Sequence, residues 1–118
     1  MEQVKLALTG KMRSGKDTIA EYLIRQYNFK RFAFGDGIRK VCSEMFPEIV
    51  AQGKPRWLYQ GIGQDLRKYD PDVWVKWLFR EMERNPYPWI VVTDLRQPNE
   101  NDALVEAGFI IIKVHCST

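Results

Sequence analysis

The stretch Gly10-Lys11-Met12-Arg13-Ser14-Gly15-Lys16-Asp17-Thr18 constrains the fold of this chain more than any other. It follows an alternating, strand-like run, Val4 to Thr9, and precedes a run with helical spacing from Ile19 to Ile24. A strand, a loop bounded by glycines and a lysine at a helix start form the setting of an anion cradle. Gly10 and Gly15 allow backbone dihedrals and close approaches that a side chain would block. Successive N–H groups then point inward, and the helix adds its positive N-terminal end. Lys16 supplies a point charge for the outer phosphates of a nucleotide. The usual pattern next carries Ser or Thr as a Mg2+ ligand; here Asp17 stands there, with Thr18 after it. A carboxylate can serve the same ion, so either residue is a candidate ligand.

With 118 residues, the chain is expected to form one domain over 1–118. Its net charge of +3 is too weak to argue for a nucleic-acid polymer and suits an anionic small molecule. Cys42, Cys116 and the single histidine, His115, make no zinc or disulfide pattern, which favours free thiols in a reducing cytoplasm. No apolar run approaches the roughly 18 residues of a membrane span, and no signal-peptide pattern is present.

In chain order, strands are expected at residues 4–9, 29–34, 89–93 and 109–114. Helices are expected at 16–27, at 38–51 with a break near Pro47, from Pro55 through Arg67, from a start at Asp70-Pro71-Asp72 to about Arg84, and at 98–107. Asn28 should end the first helix, Asp36 should cap the second, and Gly108 should close the last. The alternation predicts an α/β layered fold, a three-layer sandwich with a mostly parallel sheet. In such sheets the ligand lies beyond the carboxyl ends of the strands, where the glycine loop and Asp94 both fall.

Asp94 follows the most apolar strand run, Trp89 to Thr93. An acid in that place, behind a phosphate loop, is a candidate Mg2+ ligand; a turn or cap aspartate is the plain alternative. Phosphoryl transfer also needs the acceptor's own charge neutralised. Arg39, Arg67 and Arg96 lie at predicted loop–helix boundaries on the same side, and arginine suits bidentate phosphate recognition.

Five segments together resemble the deoxynucleoside monophosphate kinases of bacteriophages and their bacterial relatives. They are Gly10 to Thr18, Phe34 to Arg39, Gly63-Gln64-Asp65-Leu66-Arg67, Asp70-Pro71-Asp72-Val73-Trp74, and Thr93 to Glu100. The resemblance covers nearly the whole chain and keeps the motif order. It implies a P-loop fold of the nucleoside monophosphate kinase kind. ATP would be the donor, Mg2+ the metal and a deoxynucleoside monophosphate the acceptor. Gly10, Arg13, Ser14, Gly15, Lys16, Asp17 and Thr18 would hold ATP phosphates, with Asp17, Thr18 and Asp94 around the metal. Lys16, Asp94, Arg67 and Arg96 would act on the transferring group. Asp36, Arg39, Arg67 and Arg96 would line the acceptor site, and Gln64 and Asp65 would contact base or sugar. Phe34 and Trp74 would wall the base, although Trp74 also sits at core spacing with Trp77 and Leu78.

Members of that family continue past the fourth strand into a lid, a fifth strand and a last helix. The resemblance therefore implies that this chain stops after its fourth strand, with those parts absent and turnover impaired. An open sheet edge would leave room for a homodimer. Two other readings stay open: a kinase of another phosphorylated metabolite, of the phosphomevalonate type, and a nucleotide-binding module without catalysis. A guanine-reading Asn-Lys-x-Asp motif is missing, which disfavours a translational GTPase.

Overall fold

The computed structural model describes residues 3–11 and 14–115. In chain order it contains β1 (Val4–Thr9), α1 (Lys16–Tyr27), β2 (Lys30–Phe32), α2 (Phe34–Met45), α3 (Pro47–Ala51), α4 (Arg56–Tyr69), α5 (Val73–Arg84), β3 (Trp89–Leu95), α6 (Pro98–Glu106) and β4 (Ile110–Lys113). The strands join in one sheet of order β2-β3-β1-β4, and every neighbouring pair is parallel. Parallel neighbours need crossover connections, and the helices between strands supply them.

Strand alternation sorts the core onto two faces. Ala7, Ile90 and Val92 pack with Phe32, Phe34, Val75, Leu78, Leu104 and Phe109, against α2, α5 and α6. Leu8 and Val91 face the other way, against Ala20, Leu23 and Ile24 of α1. A central strand covered on both faces accounts for the unbroken apolar run of β3. Cys42, fully buried on α2, is a free thiol whose pKa is pushed up by burial. Among the described residues, no helix is long and apolar enough to cross a membrane.

Several expected stops and starts hold. Asn28 ends α1 in the left-handed region at φ 58°. Gly108, at φ 90°, closes α6 in a Schellman arrangement: Phe109 N–H donates to the Leu104 carbonyl at 2.9 Å and Gly108 N–H to that of Val105 at 3.0 Å. Pro47 does split the second helical stretch, separating α2 from α3.

The end of β2, the start of α2 and the end of β3 differ from expectation, and all three lie around Asp94. The second strand ends at Phe32, and α2 starts at Phe34, so Gly35-Asp36-Gly37 lies inside the helix. Asp36 is therefore a first-turn residue, not the cap; Ala33 holds the cap position with no side chain able to accept a hydrogen bond. The missing acceptor comes from Asp94, sixty residues away, whose carboxylate takes the N–H groups of Phe34 and Gly35 at 2.9 Å each. Gly37 suits its buried place, because a Cβ there would stand 2.7 Å from the Trp77 ring. The third strand, for its part, runs on to Leu95. Its pairing with β1 steps from Ala7–Val92 to Thr9–Leu95, which inserts one extra residue in β3. That extra residue, a bulge, falls at Thr93-Asp94, at the carboxyl end of the strand.

Candidate active site

The connections that leave the neighbouring strands β1 and β3 run in opposite directions across the sheet, from β1 toward β2 and from β3 toward β4. The crevice at the carboxyl ends of β1 and β3 is where open parallel sheets take ligands. A cleft of about 730 Å³ opens there, within the range typical of small-molecule sites. Its lining brings together the end of the glycine loop and side chains from β2, α2, α4, β3 and α6.

The loop's descent from β1 is tightly specified. Gly10 passes so close to β4 that a Cβ would stand 2.5 Å from the Val114 carbonyl oxygen. Gly15 adopts φ 91°, a left-handed turn that delivers Lys16 as the first residue of α1. The opening N–H groups of α1 have no partner within the helix, as at any helix start. Ser14 is 7% exposed, and among the described residues its Oγ has no hydrogen-bond partner. A buried, unpartnered hydroxyl beside free helix N–H groups fits a phosphate-binding loop. Lys16, Asp17 and Thr18 line the cleft; Arg13 lies outside the described residues.

Other expected residues divide. Phe34, Arg39, Gln64, Arg67, Asp94 and Arg96 all line the cleft. Asp36 sits behind it, accepting from Arg39 Nη2 at 2.7 Å and Arg31 Nη1 at 3.0 Å. The structure does not bring Asp65 or Trp74 to the cleft. Asp65 faces solvent and pairs with Lys68 at 3.3 Å. Trp74, 3% exposed, donates its indole N–H to the Gly63 carbonyl at 3.1 Å and packs between helices. Its place at helical spacing with Leu78 makes it part of the core.

Sequence reasoning missed Arg31, Tyr59, Gln60, Gln97 and Glu100, which also line the cleft. Arg31 stood in the middle of a run read only as a strand, and nothing next to it in sequence signals the cleft. Glu100 is 4% exposed, and its Oε1 accepts N–H groups from Arg96 at 3.1 Å and Gln97 at 2.9 Å. It fixes the turn that carries Arg96. Burial raises its pKa, opposed by those two backbone hydrogen bonds; the Asp94 charge pushes it further up and Arg67 pulls it down.

Among the described residues, no group of three or more His, Cys, Asp or Glu side chains gathers as a metal site. Asp17 and Thr18 offer one carboxylate and one hydroxyl. That sparse set fits Mg2+, which takes one or two protein oxygens and fills its shell with water and phosphate.

No protein-family model matches the chain. It is similar to a protein of Acanthamoeba polyphaga mimivirus named "Putative deoxynucleotide monophosphate kinase", with 29% identity over 141 aligned residues. The match takes in 94% of this chain and 73% of the relative.

Proposed function

We propose that this chain is a P-loop kinase that moves the γ-phosphoryl group of ATP to a deoxynucleoside monophosphate, with Mg2+. The observation that carries this reading is one cleft shared by the loop's Lys16 and by arginines from separate elements: Arg39 on α2, Arg67 on α4 and Arg96 after β3. A donor alone needs only the loop. Several guanidinium groups opposite it suit a second phosphate, held bidentately. The relative's name agrees with a kinase and with a nucleotide acceptor.

The loop N–H groups and Lys16 would hold the donor's outer phosphates, while Asp17 and Thr18 would hold Mg2+. The ion, when bound, neutralises charge on the phosphates. The attacking atom is an oxygen of the acceptor's own phosphate, already anionic, so no general base is required. What the protein must supply is in-line alignment and relief of charge repulsion. Arg39, Arg67 and Arg96 serve that end. Phe34, Ile38 and Tyr59 give the cleft its apolar wall, and Gln60 and Gln64 offer amide groups to a base edge.

The test is ADP release from ATP and Mg2+ with each of the four deoxynucleoside monophosphates in turn. Turnover with at least one is expected. Retained ATP binding with no turnover on any of them would overturn the acceptor assignment.

A further inference from the structure

We propose that Asp94 is a positioning residue for the acceptor half of the cleft, not a metal ligand. This rests on the kinase reading of the site. Three observations carry it. The two carboxylate oxygens are separately engaged, Oδ1 by Phe34 N–H and Oδ2 by Gly35 N–H, each at 2.9 Å. These are the first two N–H groups of α2, and no local side chain can take them, because Ala33 stands at the cap. The β3 bulge provides the reach: a regular strand would pair the Asp94 position with Thr9, but Leu95 holds that register.

What Asp94 fixes is an arm that bears charge. Gly35 lies between its carboxylate and the Arg39 guanidinium. A Cβ at Gly35 would stand 3.2 Å from Asp94 Oδ2 and 3.3 Å from Arg39 Nη1. One residue on, Asp36 receives Arg39 at 2.7 Å and Arg31 at 3.0 Å. Both arginines line the cleft. The end of β3 thus sets one acceptor-side guanidinium directly, by carrying Arg96. It sets two more through the helix start it caps. Arg31 thereby joins the acceptor site, bridged to Arg39 on a shared carboxylate. These two amides fix the carboxylate's orientation from the helix side, taking one acceptor site on each oxygen.

The variant Asp94→Asn keeps one acceptor and turns an amide N–H toward the other backbone donor. Three readouts separate the roles: hydrogen exchange of the Phe34 and Gly35 amides, the Mg2+ concentration that half-saturates ATP binding, and the acceptor KM. The expected result is exchange faster by about tenfold at those amides and an acceptor KM raised about tenfold, the scale of a lost helix cap. ATP affinity and the Mg2+ midpoint should stay as in the parent protein. A second variant, Gly35→Ala, retains the carboxylate but crowds it and Arg39. It too should raise acceptor KM without moving the Mg2+ midpoint. A raised Mg2+ midpoint in Asp94→Asn with unchanged exchange at Phe34 and Gly35 would overturn the proposal. If no deoxynucleoside monophosphate is turned over by the parent protein, the kinase reading fails separately. The exchange rates and the Mg2+ midpoint, both read without turnover, still decide what Asp94 holds.

Discussion

Glu100 is a buried carboxylic acid in the wall of the cleft. Burial raises its pKa, so the folded protein holds that proton more firmly than the unfolded chain does. Between the ordinary carboxylate value and the raised one, the folded state binds more protons, and stability contributed by this group falls as pH rises. Glu100→Gln keeps an oxygen for the N–H groups of Arg96 and Gln97 but removes the charge. It should be more stable than the parent at neutral pH, with the difference vanishing below the ordinary carboxylate range. Urea unfolding at several pH values measures this. At this scale the loop residues Gly15 to Thr18 were legible, because their chemistry depends on neighbours in sequence. Glu100 and Arg31 were not. Their importance comes from what the fold sets opposite them, and alternation along a strand reports a face, not a cleft.

The helices and strands were legible as elements, and less so at their ends. The Schellman close at Gly108 is local and was readable; the cap of α2 is not local and was misplaced by three residues, at Asp36 instead of Ala33. Only contact with Asp94 makes Phe34 a viable helix start. Packing between helices decides Trp74 in the same way. Its indole N–H joins α5 to the Gly63 carbonyl of α4 at 3.1 Å, under near-complete burial. Trp74→Phe should cost about 1–3 kcal/mol, from the lost hydrogen bond and the smaller ring. Acceptor KM should not change, since the ring does not line the cleft. Denaturant unfolding and steady-state kinetics on the one variant check both halves of that statement.

At the scale of the whole molecule, the β2-β3-β1-β4 order places the loop and the β3 bulge at the same end of adjacent strands. That an α/β sheet would form, and that β1 and β3 would meet, followed from the alternation of element types and the handedness of crossovers. Binding at this junction should stabilise the whole domain. At a concentration of ATP with Mg2+ a hundredfold above its Kd, the unfolding free energy should rise by about 2.7 kcal/mol. Lys16→Ala, which removes a charged hydrogen bond of roughly 1.5–3 kcal/mol, should lose most of that rise at the same nucleotide concentration. Thermal unfolding with and without nucleotide, on both proteins, reads the effect.

The glycine that starts the loop rests against the carbonyl of Val114, and the amide of Val114 donates to Thr9 at 2.8 Å. The first strand to be made is therefore completed by nearly the last residues described. On the ribosome, the loop and Lys16 emerge early, yet the seat of Gly10 is lacking until β4 has left the exit tunnel and slid in beside β1. Contacts spanning a hundred residues close late. The contact that seats the start of the loop therefore joins residues about a hundred positions apart, and a folding-kinetics experiment should find it forming after the local helices.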